Sequence, residues 1–199
     1  MNRHLAFALA AAALAACVLF QNSPPSDASS TAERIAPEFP SLEASSWSGP
    51  PTSLASLRGK VVLLNVWTLG CVNCARTLPW VRSVWERNKD RGVAVIGVHS
   101  PEFEREKDRE AVEKARSRNG LGYPSFLDNE HAYWRALDNH YWPTVYLLDK
   151  AGRIRATQVG EVHAGDEAAM RLEHRIESLL ADEVEGGAQD GMQGVPKRR

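Results

Sequence analysis

Two cysteines three residues apart, Cys71 and Cys74, are the residues of this chain whose type and spacing suit chemistry best. They follow an apolar run, Val61-Val62-Leu63-Leu64-Asn65-Val66-Trp67, and a short connection, Thr68-Leu69-Gly70; a segment with helical spacing comes directly after. A buried strand thus delivers a dithiol to the N-terminal end of a helix. Unpaired N–H groups and the positive end of the helix dipole favour a thiolate there. Such settings bring a thiol pKa to roughly 3.5–7.5 from about 8.5.

Other uses of Cys-x-x-Cys make demands that can be checked. A structural zinc site needs two further ligands at matching spacing. The remaining cysteine is Cys17, and His99, His131, His140, His163 and His174 form no paired motif, so no metal is expected. Haem attachment needs a His straight after the second Cys, and Ala75 stands there. A purely structural disulfide closing so small a loop would constrain the unfolded chain little. The expected reading is a redox dithiol with no cofactor beyond its own Cys71–Cys74 disulfide.

The elements that must position this pair alternate along the chain. Residues 61–68 are expected to form a central strand, apolar on both faces as a covered parallel sheet requires. Residues 72–89 read as a helix, with Leu78, Val81, Val84 and Trp85 at spacings of three and four and Pro79 marking a kink. Residues 93–99 are a second buried strand. The densely charged stretch 102–119 is expected as one exposed surface helix with a thin apolar stripe, ended by Asn119-Gly120 and carrying no function. A short strand at 123–127, a short helix at 131–137 and a strand at 144–148 follow. A turn at 149–152 then leads into a strand at 153–159, and a closing amphipathic helix covers 166–180. Upstream, residues 39–51 suggest a short strand or hairpin, and residues 53–60 a helical turn closed by Gly59. This order predicts an α/β fold: a mixed β-sheet flanked by helices on both faces.

The chain has 199 residues, 43% of them hydrophobic and 25% charged, with a formal net charge of -1. That balance argues against nucleic acid as a partner, because no phosphate-neutralising excess exists. Met1-Asn2-Arg3-His4 is a short basic region, and the Ala-rich apolar stretch 5–16 has the length of an export signal rather than a membrane span. Leu14-Ala15-Ala16-Cys17 has the pattern of a bacterial lipoprotein box, in which Cys17 would be lipidated. The alternatives are cleavage nearby, or retention as an anchor, since Val18-Leu19-Phe20 prolongs the apolar run. The expected organisation is a signal or anchor at 1–20, a Ser- and Pro-rich linker at 21–38, one domain at 39–181 and a disordered tail at 182–199. The domain would then be extracytoplasmic and attached to a membrane through its N-terminus. Assigning Cys17 to lipid or to a removed signal leaves one cysteine pair.

Residues 54–180 resemble the thioredoxin fold, and more narrowly the exported thioredoxin-like proteins of the TlpA, ResA and DipZ C-terminal type. The resemblance rests on strand, Cys-x-x-Cys and helix in series, on Trp142-Pro143-Thr144 before a strand, and on the pattern Trp-Thr-x-x-Cys-x-Asn-Cys-x-Arg-Thr-Leu-Pro from Trp67 to Pro79. Val98-His99-Ser100-Pro101-Glu102-Phe103 and Asn139-His140-Tyr141-Trp142-Pro143 extend it. It implies a thiol–disulfide oxidoreductase in which Cys71 attacks and Cys74 resolves the mixed disulfide. It also implies a cis Trp142–Pro143 bond, with Trp142, Pro143 and Thr144 beside an extended substrate segment. Trp67 and Asn73 would support the site, and Trp67 and Trp142 would rim it. The implied partners are disulfide-bearing exported proteins, apocytochrome c among the candidates, and a membrane thiol transporter of the DsbD or CcdA type as electron donor.

Three positions depart from that pattern. Asn65 stands where thioredoxin has a buried acid, Thr77 stands where ResA-like proteins have a Glu, and Gly70 replaces a common Trp. Either water or a group from elsewhere, such as Glu102 or Glu161, then moves protons near Cys74, or the redox poise differs from those relatives. Rival readings are a disulfide-forming oxidant, a thiol peroxidase, and a copper or thiol chaperone. The peroxidase reading rests on Thr68-Leu69-Gly70-Cys71 matching the Thr-x-x-Cys of peroxiredoxins, although Leu64 replaces their Pro. A chaperone would use Cys71, Cys74 and a nearby His for a soft ion such as Cu(I). The direction of electron flow depends on a reduction potential.

Overall fold

The structure is a computed structural model that describes residues 34–182. The expected export segment, Cys17 and most of the linker and tail lie outside the described residues. The strands are β1 (Trp47–Ser48), β2 (Val61–Trp67), β3 (Val93–His99), β4 (Ser125–Leu127), β5 (Thr144–Leu148) and β6 (Ile154–Val159). The α-helices are α1 (Val72–Asn88), α2 (Arg109–Arg118), α3 (Ala132–Ala136) and α4 (Glu167–Ala181). The six strands form one mixed sheet in the order β1-β4-β3-β2-β5-β6, with β2, β3 and β4 parallel and the other pairings antiparallel.

The connections follow from handedness. The steps β2-α1-β3 and β3-α2-β4 move the same way across the sheet, so right-handed crossovers put α1 and α2 on the same face. The return to β5 crosses back by way of α3, which covers the opposite face. Residues of β2 alternate accordingly. Val61, Leu63 and Trp67 join a core with α1, α2 and α4, while Val62, Leu64 and Val66 join a second core with Tyr133 and Leu137. All seven residues of β2 are buried, as expected of a central strand covered on both sides. Pro79 is accommodated inside α1.

Two expectations are corrected. The second core includes Ala36 and Phe39, and the Phe39 ring lies 4.4 Å from that of Tyr133 and 4.9 Å from that of Trp47. Ile35 bridges Arg153, the Ala36 N–H donates to the Gly152 carbonyl (3.0 Å), and a Glu38 carboxylate oxygen accepts from the Leu54 N–H (2.9 Å). Residues 35–38 therefore lie on the domain rather than in a linker. The stretch 102–119 is not one helix: a 3-10 turn at Glu104–Lys107 ends at Asp108, whose side chain caps α2 by accepting from the Glu110 N–H. That break turns Glu106 inward. Among the described residues no helix is long and apolar enough to cross a membrane.

Candidate active site

Cys71 is the N-cap of α1. Its backbone is extended (φ -86°, ψ 107°), and its Sγ accepts from the Cys74 N–H at 3.0 Å. A capping side chain satisfies one of the four orphan donors of a helix start. Here the capping atom is the sulfur itself, so charge on Cys71 falls where the helix best stabilises it. Cys71 is half-buried, whereas Cys74, one turn on, is 1% exposed. The two are joined as a disulfide with Cα atoms 5.2 Å apart. An accessible sulfur over a sealed one is the asymmetry that exchange requires: one attacks a partner and the other returns to resolve it.

The residues expected around the pair fall into distinct places. Val66 pairs with Thr144, which sets Pro143 opposite Trp67 at the same end of the sheet as the dithiol. The Trp142–Pro143 bond is cis, and Pro143 is buried. Its loop is held on both sides: the Trp142 indole N–H donates to the Ser100 carbonyl (3.0 Å), its ring stacks on Trp134 at 4.2 Å, and the Thr144 hydroxyl donates to the Tyr141 carbonyl (2.8 Å). Asp128 anchors this side by accepting from Ser100 and from the N–H groups of Tyr133 and Trp134. Trp142 is half-buried, but Trp67 is 2% exposed and packs edge-on against His99, so it is part of the core and not of the rim. Asn73 is exposed, and its carbonyl accepts from the Thr77 hydroxyl. Val72 (62% exposed) and Tyr141 (60% exposed) flank the dithiol and the cis proline with apolar surface.

The carboxylates are placed differently from the expectation. Glu102 is exposed and contributes its N–H, not its side chain: that N–H donates to Glu106 Oε2 (3.0 Å) and Thr68 Oγ1 (3.4 Å). Glu161 accepts from Arg76 (3.3 Å) and contacts His163 Nε2 (2.8 Å). The carboxylate that reaches the dithiol loop is Glu106, 2% exposed, whose Oε2 accepts the Thr68 hydroxyl. Burial opposes its ionisation. Hydrogen bonds from Thr68 and from the N–H groups of Glu102, Phe103 and Gly70 outweigh that and hold its carboxyl below the usual range. Glu106 also explains Gly70, because a Cβ there would overlap Glu106 Oε1. Nothing in the local pattern Glu104-Arg105-Glu106-Lys107 singles out the buried member. The one available signal was the unusual glycine before Cys71.

Of the two other departures, Thr77 has a structural role and Asn65 is buried in the sheet. Thr77 is fully buried and accepts from the Val162 N–H (3.1 Å), which ties α1 to the connection after β6. Asn65 is 1% exposed and lies in register with Gly97 and, through it, Ser125. Neither its Oδ1 nor its Nδ2 has a hydrogen-bond partner of good geometry among the described residues. His99, adjacent on β3, is fully buried with both ring nitrogens likewise unpartnered. Burial, only partly offset by the Glu106 charge, pushes its imidazole down to about 4, so it is neutral at ordinary pH. Among the described residues no cluster of three His, Cys, Asp or Glu side chains is arranged to hold a metal.

Comparison with known proteins agrees with this geometry. The AhpC/TSA family model matches residues 35–157. Protein DipZ of Mycobacterium bovis is 46% identical over 111 residues, which are 56% of this chain and 16% of DipZ, so the chain spans about a sixth of that relative. Thiol-disulfide oxidoreductase ResA of Geobacillus kaustophilus is 28% identical over 149 residues, 75% of this chain and 80% of ResA. A thiol-disulfide isomerase structure from Corynebacterium glutamicum superposes with a TM-score of 0.60 at 27% identity, over 74% of this chain and 98% of that one. With its dithiol capping α1 and its thioredoxin-like sheet, the chain belongs to the AhpC/TSA family and is similar to DipZ and to the thiol-disulfide oxidoreductase ResA.

Proposed function

We propose that the chain is an extracytoplasmic reductant of protein disulfides. The observation that carries this reading is the half-buried Cys71 at the head of α1, with Cys74 sealed beneath it and exposed Val72 and Tyr141 alongside. In the reducing direction the Cys71 thiolate attacks a substrate disulfide. An S–S bond forms between Cys71 and one substrate sulfur, and the other substrate sulfur leaves as a thiolate. Cys74, deprotonated, then attacks Cys71 Sγ; the second substrate thiolate departs, and the Cys71–Cys74 disulfide remains. Two electrons have moved to the substrate, and the two protons lost by the cysteines balance those its thiolates take up.

The apolar surface of Val72 and Tyr141 suits a polypeptide substrate better than a small polar thiol, and the cis Trp142–Pro143 turn offers backbone beside it. Export through the segment 1–20, attachment through Cys17 or an uncleaved anchor, and recharging by a membrane thiol transporter of the DsbD or CcdA type complete the reading. Exported proteins are the substrates, apocytochrome c among them. The likeness to the thiol-disulfide oxidoreductase ResA supports the exchange chemistry of this reading.

The reduction potential of the Cys71–Cys74 couple is the deciding measurement. A value near or below about -250 mV supports a reductant, and one near about -120 mV makes the chain an oxidant. Cys74→Ser should accumulate mixed disulfides on Cys71 with exported proteins, and Cys71→Ser should accumulate none. Equal capture by both variants would remove Cys71 from the attacking role.

A further inference from the structure

We propose that Glu106 is a positioning residue of the dithiol: its buried carboxylate fastens the Thr68–Gly70 loop and sets a negative charge one residue ahead of Cys71. The inference rests on the exchange chemistry proposed above and adds the group that tunes it.

Three observations carry it. Glu106 is 2% exposed in a stretch whose other charged side chains, Glu104, Arg105 and Lys107, are exposed or half-exposed. Its donors come from both sides of the site: the Thr68 hydroxyl from the loop leading to Cys71, and the Glu102 N–H (3.0 Å) from the turn after β3. Its Oε1, by contrast, has no hydrogen-bond partner of good geometry among the described residues and lies too close to residue 70 for a Cβ to fit there. The carboxylate therefore closes on the loop itself, and the loop has a glycine where the carboxylate needs room.

No cation pairs with Glu106 among the described residues. The neighbouring titratable group on β3 is His99, buried and with neither ring nitrogen hydrogen-bonded among the described residues. Arg76, on α1 beyond the dithiol, is exposed and engaged with Glu161, which also contacts His163. A charge that is neither solvated nor paired acts over longer range than a surface one. It opposes a second negative charge on Cys71, and so works against the helix terminus that favours the thiolate. The consequence is a Cys71 less acidic than a helix N-cap alone would make it, and a dithiol that gives up its electrons more readily.

The test compares the full chain with its E106Q variant, which keeps the size and an acceptor for the loop but removes the charge. Thiolate absorbance against pH reads the Cys71 titration, and equilibration with glutathione reads the couple. In E106Q the Cys71 midpoint should fall, the thiolate fraction at neutral pH should rise by about threefold or more, and the glutathione equilibrium should shift toward the dithiol. A variant that loses stability yet titrates like the parent would make Glu106 purely structural and overturn the proposal. Should E106Q fail to fold, the unaltered protein supplies the test. The Glu106 side-chain carboxyl resonance should move with the Cys71 titration in the reduced form and show no such step in the disulfide form. An unmoved resonance would equally overturn it. The potential of the unaltered chain judges the reductant reading, whereas only the difference made by the charge judges Glu106.

Discussion

His99 shows what a single buried group contributes here and how to measure it. It is fully buried beside Trp67, neither ring nitrogen has a partner among the described residues, and burial lowers its pKa from 6.5 to about 4. The folded value lies below the unfolded one, so on acidification the unfolded chain takes up the proton first. The neutral ring's contribution is fully present above pH 6.5 and is lost as pH falls from 6.5 toward 4. Across that window the loss is roughly 3 kcal/mol. Urea unfolding at a series of pH values should show this slope in the parent and lose it in His99→Leu. A variant that keeps the slope would place the proton uptake elsewhere. His99 was visible in the sequence as an unpaired histidine at a strand end and as part of the stretch that extends the family resemblance. That it is stripped of partners is a property of the packed sheet.

At the scale of elements, the active arrangement depends on how α1 is tied to the rest of the fold. Thr77 accepts the buried Val162 N–H and donates to the Asn73 carbonyl, so one hydroxyl links the dithiol helix to the connection between β6 and α4. Thr77→Val keeps the shape and orphans that N–H, which costs about 1–3 kcal/mol. Thr77→Ser should recover most of it. Chemical denaturation reads the loss, and faster amide exchange at Val162 locates it. The elements that were legible beforehand are those whose pattern is decided locally. β3 and β5 have the expected bounds, and β2 ends one residue early, because each is a short, predominantly apolar run. The 102–119 stretch was not legible, since its periodicity suits a surface helix throughout. The break at Asp108 goes with a contact between Glu106 and Thr68, 38 positions apart in the chain, which no local pattern shows. The dithiol could be read from residue types, and the cis proline turn from the family resemblance alone. The carboxylate beside them could not, because one glutamate among many differs from the others only by what the fold brings against it.

For the whole molecule, the boundary of the cooperative unit is the consequence most open to test. Composition suggested that the domain begins at Phe39, because Pro, Ser and Ala dominate the preceding residues. Packing places the start earlier, at Ile35 and Ala36, which extend along the hairpin of β5 and β6 through Arg153 and Gly152. The Pro37 carbonyl accepts from the buried Tyr133 hydroxyl (3.0 Å), and Glu38 accepts the Leu54 N–H. Phe39 then fills the space between Trp47, Phe126 and Tyr133. This segment covers the face of the sheet that α3, five residues long, cannot cover alone. A chain beginning at Ser41 exposes that face, loses the Phe39 ring and leaves the Tyr133 hydroxyl without its acceptor. Emptying a buried Phe site alone costs about 3–5 kcal/mol, a large share of the roughly 5–15 kcal/mol that holds a domain together. The shortened chain should therefore be at least ~3 kcal/mol less stable than one beginning at Arg34, as measured by denaturant midpoint at unchanged m-value. Phe39→Ala in the longer chain should reproduce most of the loss. Equal midpoints for the two lengths would return residues 34–40 to the linker and shrink the folding unit to the sheet and its helices.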